Sequence, residues 1–288
     1  MNMTKGVTLK TEQNGNVTSV YFDVQAGWQK WFMLTSDEHY DSVACNRRRF
    51  KQDMETAKQR NALILRFGDF FDAMQGKFDP RRSMDDLRPE FRRSDYYDFV
   101  VMDAANYLEP YAKQHLLFGL GNHETGVIRN ANTNLTDRLI HELNHRGGDI
   151  LPGSYGGWVR FMFKASGRAQ CSLKLYYYHG KGGSAPVTKG TIDTARQAAY
   201  LPDADIVVNG HNHNAYWLPV ARRRLSNKGV EYNDACHFIR TPGYKQPILA
   251  RHGFDIEKLT TPKPIGCVWM RLFFEGGKIR KEFTPAVE

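Results

Sequence analysis

Cysteine is scarce in this sequence: Cys45, Cys171, Cys236 and Cys267 are the four in 288 residues, and they form no CxxC pair. That spacing excludes a secreted disulfide framework and a thiolate zinc site, and makes a reducing cytoplasm the expected compartment. No run of eighteen apolar residues occurs, so no membrane-spanning helix is expected. Met1 to Gly15 is polar and lacks the apolar stretch and cleavage site of an export signal. Internal repeats, low-complexity tracts and long Gly/Ser linkers are also missing, which points to one domain over 1–288. Acidic residues are outnumbered, 31 against 40, giving a net charge of +9. From Asn214 onward there are 13 basic and 7 acidic residues, so most of the excess is C-terminal. An anionic partner is therefore expected.

What is present reads as a globular α/β chain. Hydrophobic residues make up 41% and charged residues 25%, values ordinary for a packed domain. Strand-like runs at Val17 to Val24, Trp28 to Thr35, Ala62 to Phe67 and His115 to Leu120 alternate with helical patterns at Asp41 to Gln59, Tyr97 to Gln114 and Thr136 to His145. Further strands are expected at Trp158 to Lys164, Cys171 to Tyr178 and Asp205 to Val208, with a helix near Ile192 to Tyr200. A β-rich basic part, 214–288, closes the chain with strands at Tyr216 to Val220, Ala235 to Ile239, Cys267 to Phe274 and Lys278 to Phe283. A charged segment near 70–97, broken by Pro80 and Pro89, reads as an exposed insertion.

Five short polar clusters stand at the C-terminal ends of predicted strands, where open α/β sheets place their ligands. They are Ser36-Asp37-Glu38-His39, Gly68-Asp69-Phe70-Phe71-Asp72, Gly121-Asn122-His123-Glu124, Tyr178-His179-Gly180 and Gly210-His211-Asn212-His213. A lone DxH is expected ~0.7 times in a random chain of this length, whereas the joint set falls below roughly one in a million. In this order the clusters resemble the signature of the calcineurin-like metallophosphoesterase superfamily, and the GNH block is similar to the SbcD and Mre11 nuclease branch. The resemblance covers Asp37 to His213.

That resemblance implies a layered α/β sandwich with two mixed β-sheets flanked by helices. It implies two divalent metal ions, one held by Asp37, His39, Asp69 and His213, the other by Asp69, Asn122, His179 and His211, with Asp69 bridging. Carboxylate, imidazole and amide oxygen without thiolate suit Mn2+, the expected ion, or Fe, Zn or Ni. A hydroxide between the metals would attack phosphorus, and His123 would assist the leaving oxygen. Asp72 and Glu124 are expected to orient neighbours by hydrogen bonds, Glu124 by fixing the His123 ring. Asp41 reads as a helix N-terminal carboxylate, and Glu38 should project away from its two neighbours. Lys181, Tyr216 and Trp217 follow ligand blocks closely enough to touch substrate.

The expected activity is phosphodiester hydrolysis in nucleic acids or nucleotides, with DNA or RNA as a possible partner and no membrane. A phosphomonoesterase and a noncatalytic scaffold are the alternatives. Arg47 to Arg49 and Arg222 to Arg224 read as solvated faces, because consecutive residues cannot share one face. His115, His141, His145, His237 and His252 read as structural.

Overall fold

A computed structural model of the chain describes residues 10–73, 75, 79, 84–165, 171–182, 187–249 and 261–288. The segment near 70–97 is thus described only in part, and His252 lies outside the described residues.

The described chain opens with a hairpin, β1 (Lys10–Asn14) and β2 (Val17–Val24), turned at Asn14-Gly15 with Asn14 facing Val17. Then come β3 (Gln29–Thr35), α1 (Arg47–Gln59), β4 (Leu63–Phe67), α2 (Tyr96–Leu108) and β5 (His115–Gly119). Two helices, α3 (Asn122–Ala131) and α4 (Leu135–His145), lead to the short β6 (Leu151–Pro152). β7 (Gly156–Ala165), β8 (Cys171–Tyr178), α5 (Thr191–Tyr200) and β9 (Ile206–Asn209) follow. Two long antiparallel pairs finish the fold: β10 (Tyr216–Leu225) with β11 (Glu231–Arg240), and β12 (Gly266–Glu275) with β13 (Lys278–Val287).

The strands form two mixed sheets, ordered β1-β2-β7-β8-β9-β11-β10 and β13-β12-β3-β4-β5-β6. β3 to β6 run parallel, as do β8, β9 and β11, while antiparallel partners close every edge but that of β6. Because successive side chains point to opposite faces, each central strand contributes to two cores. Phe32 and Leu34 of β3 join Val20, Phe161, Val208 and Met270 between the sheets. Met33, between them, packs instead with Phe50, Ala104 and Leu139 of the helices. β9 repeats the pattern: Ile206 and Val208 face the other sheet, and Val207 faces the α5 side with Phe238 and Ala198. This is the α/β sandwich of two mixed sheets flanked by helices. No helix among the described residues is long and apolar enough to cross a membrane.

Several expectations need correction. α1 starts at Arg47, not Asp41, because the Asn46 side chain accepts the Arg49 N–H at 3.0 Å and caps it there. The second expected helix stops at Leu108 and continues as a 3-10 turn over Glu109–Gln114, where Pro110 lacks the N–H that an α-helix needs. α3 was not anticipated at all, and β10 and β11 are longer than expected. The segment near 70–97 is not simply exposed, since Phe70, Phe71, Leu87 and Phe91 lie in the core. The arginine triplets are solvated only in part: Arg48 and Arg223 are exposed, while their neighbours are tied into the fold. Arg47 stacks 4.0 Å above the Tyr40 ring, Arg49 pairs with Asp53 at 3.0 Å, and Arg222 grips Asp234 through two bonds of 2.8 and 2.9 Å.

Candidate metal centre

Each of the five polar clusters begins within two residues of a strand end: Thr35 of β3, Phe67 of β4, Gly119 of β5, Tyr178 of β8 and Asn209 of β9. Three of these strands belong to one sheet and two to the other, so the clusters meet where the sheets' edges of loops converge. Backbone bonds tie the loops together: Asp37 N to Gly68 O at 3.0 Å, His39 N to Asp69 O at 3.1 Å, and Gly210 N to His179 O at 2.8 Å. Two glycines permit the approach. A Cβ on Gly121 would stand 2.0 Å from Asp69 Oδ1, and one on Gly210 would stand 2.4 Å from Ser36 Oγ.

Asp37, His39, Asp69, His211 and His213 all adopt left-handed backbone, with φ between 47° and 73°. Non-glycine residues rarely do so, at a cost of about 1–2 kcal/mol each. Five such residues in one cluster are strain held in place by the surrounding fold. In both DxH and HxH the left-handed residues alternate, and both side chains of each pair turn into the centre. The residue between Asp37 and His39 behaves as expected: Glu38 points into the interior, where Oε1 accepts bonds from Arg66 Nε at 2.9 Å and Thr35 Oγ1 at 2.7 Å.

Donor atoms converge in three groups, each spanning less than 4.8 Å: Asp37, His39 and His213; His39, Asp69 and His123; Asp69, His179 and His211. Asn122 completes the set, its Oδ1 lying 3.2 Å from His179 Nε2. Asp69 belongs to the second and third groups and His39 to the first and second, so the three are continuous. The structure therefore brings together all seven expected ligands and His123.

The atoms facing one another are all of the kinds that ligate metal ions. His179 Nδ1 donates to Phe67 O at 2.8 Å, so Nε2 is the nitrogen turned to the centre, and it presents a lone pair there once its proton is given up. That nitrogen faces Asp69 Oδ2 at 3.0 Å and Asn122 Oδ1 at 3.2 Å, both acceptors. His39 Nδ1 is likewise engaged by Asp72 Oδ1 at 2.7 Å, and its Nε2 faces His213 Nε2 at 3.3 Å. Asp37 Oδ1 is buried without a hydrogen bond, 3.2 Å from His213 Nε2. A cation at these points would satisfy every one of these lone pairs, so the residues fit divalent ions of the borderline series.

The charges respond accordingly. Burial opposes ionisation of Asp37, yet His213 and His179 hold its carboxyl well below the usual range. Asp69 is held down in the same way, against burial, by His179 and His123. Burial also opposes the charge on His179, but Asp69 and Asp37 raise it to about 10. Burial pushes His39 down to about 4 despite Asp72.

The outer residues differ from expectation at Glu124. Glu124 does not touch the His123 ring. As the third residue of α3 it folds back to accept Gly121 N at 2.8 Å, Asp69 N at 3.0 Å and Phe71 N at 3.0 Å, the geometry of a capping carboxylate. Burial and the Asp69 charge push it up to about 7, against those N–H groups. His123 is instead held by Asp72, whose backbone carbonyl accepts from Nδ1 at 2.5 Å. Tyr216 and Trp217 face opposite ways. Tyr216 bonds Thr194 at 2.8 Å and faces Arg240 on the α5 side. Strand alternation turns Trp217 the other way, stacked on His237 near Phe283. Lys181 lies with Gly180, Tyr178 and Arg240 on a small cleft of about 100 Å3 beside the centre.

Two contributors were missed. Asp41 accepts Asp72 N at 2.7 Å and Ala73 N at 3.0 Å, and so shapes the loop after Asp69 instead of starting a helix. Lys245 reaches Asp72 Oδ1 at 3.1 Å from far along the chain.

No family model matches the sequence, and no curated protein matches it. Among solved structures it is similar to Vps29 from Cryptosporidium parvum, with 12% identity and a TM-score of 0.38 over 91% of this chain and 100% of that one. It is also similar to Vps29 from Entamoeba histolytica complexed with Zn2+, with 10% identity and a TM-score of 0.34 over 88% and 98% of the two chains. A third is a conserved uncharacterized protein from Streptococcus pneumoniae described as a predicted phosphoesterase, with 12% identity and a TM-score of 0.30 over 90% and 100%. In motif order and sheet architecture this chain resembles the calcineurin-like metallophosphoesterases. Superposition scores of this size add no weight to that metallophosphoesterase likeness, which rests on the residues of the centre.

Proposed function

We propose that this chain is a divalent-metal-dependent phosphoesterase that favours phosphodiesters, with nucleic acids or nucleotides as substrates. The observation that carries this reading is the convergence of metal-ligating atoms, above all His179 Nε2 beside Asp69 Oδ2 and Asn122 Oδ1. Asp37, His39, Asp69 and His213 would hold one ion, and Asp69, Asn122, His179 and His211 the other. Bound there, two divalent ions supply positive charge for phosphate oxygens and an activated water at neutral pH.

The chain's own groups supply the rest. His123 Nδ1 donates to Asp72 O, so Nε2 is the nitrogen left to act on a leaving oxygen, and it would give up a proton from the doubly protonated ring. Its ring stands edge-on to His39 with centroids 4.7 Å apart, which places that proton beside the cluster. An alkoxide leaves poorly without such help, and this supports a diester preference. Lys181 and Tyr216 border the neighbouring cleft and the strand beside it, where they could meet the ester's far side. Arg47, Arg49, Arg222 and Arg224 are spent on internal contacts, so a polyanion would be met at the centre and by other basic residues after Asn214.

The test compares bis-(p-nitrophenyl) phosphate with p-nitrophenyl phosphate after reconstitution with Mn2+, Zn2+, Ni2+ or Fe2+. EDTA-sensitive turnover that favours the diester is expected. Preference for the monoester would replace the diesterase reading with a phosphatase. Absence of turnover on both esters and on DNA and RNA with every metal would overturn the enzyme reading.

A further inference from the structure

His141 and His145 lie outside the centre, one turn apart on α4, within the sequence His141-Glu142-Leu143-Asn144-His145. Their expected structural role does not hold, because both side chains are exposed while Leu139 and Leu143 take the buried face of the helix. The two rings are neighbours, with centroids 4.5 Å apart and planes at 56°. Together with Asp137, Ile140, Asn144 and Pro152 they line an open surface cavity of about 580 Å3.

A second observation fixes the chemistry of one ring. His145 Nδ1 lies 3.3 Å from the backbone oxygen of His141. A carbonyl only accepts, so this contact places the proton of a neutral His145 ring on Nδ1 and leaves the lone pair on Nε2. Metal-binding imidazoles are commonly oriented by a carbonyl in this way. Residues four apart share a helix face, and paired histidines at this spacing are a known zinc-binding arrangement.

We propose that His141 and His145 form a surface metal site, separate from the buried centre, that chelates a zinc-, copper- or nickel-class divalent ion, with water in the remaining positions. Imidazole nitrogen favours those ions over magnesium and calcium, which prefer oxygen. Asp137, four residues before His141, places a carboxylate on the same face. The His-Glu-x-x-His spacing is also that of helical zinc hydrolases, but the surroundings do not support hydrolysis. Glu142 Oε2 turns toward Arg146 at 3.9 Å, and among the described residues no third His, Cys, Asp or Glu joins the pair in a ligand group. This is a binding site only.

The test uses the untagged full chain, as wild type, His141→Asn, His145→Asn and Asp69→Asn. Elution from immobilised Ni2+ and the solution Kd for Ni2+ are measured, with helix content checked by circular dichroism. Wild type and Asp69→Asn should be retained alike. Each histidine replacement should weaken binding about tenfold or more, because a chelate becomes a single-point contact. Unchanged elution and Kd in both histidine variants would overturn the proposal. So would loss of retention in Asp69→Asn, which would assign the nickel to the buried centre. Neither outcome depends on phosphoesterase activity.

Discussion

The Asp72 carboxylate stands 2.7 Å from His39 Nδ1 and fixes that ring from behind. Lys245 Nζ, 3.1 Å from the same oxygen, and His39 keep Asp72 ionised far below the usual carboxylate range although burial opposes it. The ring is thereby held with Nε2 toward the centre. An Asp72→Asn substitution can offer an amide N–H to Nδ1 and favour the wrong tautomer. Metal affinity should fall about 10–100-fold, as measured by competition with a chelator. An unchanged Kd would show that His39 does not depend on Asp72.

His123 is held through the backbone of Asp72, so its orientation should survive that substitution. Its own removal separates chemistry from binding. His123→Ala should bind the same number of ions and lose roughly 10²–10⁴-fold in kcat. The loss should be larger for an alkyl leaving group than for nitrophenolate, which needs less protonation. A uniform loss across leaving groups would place His123 outside proton delivery.

Much of the centre was legible in the sequence because its chemistry dictates short spacings at strand ends. Asp37 with His39 and His211 with His213 are adjacent on the page for the reason that they are adjacent in space: alternating left-handed residues turn both side chains inward. What lay hidden depended on distant pairing or on an unrecognised helix. Lys245 lies 173 residues beyond Asp72 and carries no local signal. Glu124 was misassigned because α3 was not anticipated, although a carboxylate three residues after Gly121 and before Val127 and Ile128 has the spacing of a helix cap. Tyr216 and Trp217 are adjacent in sequence but face opposite ways on one strand, so adjacency alone does not give them a shared role.

The raised pKa of His179 gives metal uptake a definite pH dependence. In metal-free protein the proton on His179 pairs with Asp69 and Asp37, so its stabilisation is complete below the ordinary histidine value of 6.5 and is lost as pH rises through about 10. Metal-free stability should therefore decline across that window. A metal ion needs the same nitrogen unprotonated, so binding at pH 8 should release a proton and affinity should rise with pH. Calorimetry in buffers of different ionisation enthalpy reads the proton count. Uptake without proton release would remove His179 from the ligand set.

Beneath the centre, Glu38 and Arg66 are fully buried and joined by a 2.9 Å bond, with the guanidinium 4.5 Å from the Phe118 ring and 4.7 Å from the Phe70 ring. The pair anchors the residue between Asp37 and His39, so it ties the strained loop to β4. Burial pushes the Glu38 carboxyl up, and Arg66 and Thr35 pull it back. Arg66→Met should leave that group without its counter-charge and cost about 3–5 kcal/mol, read as a fall in the urea midpoint. Replacing both residues, as Glu38→Gln with Arg66→Met, should recover part of this loss because no lone charge stays buried. If the pair serves the site as well as the core, the double variant should regain stability more fully than metal affinity. Equal recovery of both would reduce the pair to a packing element.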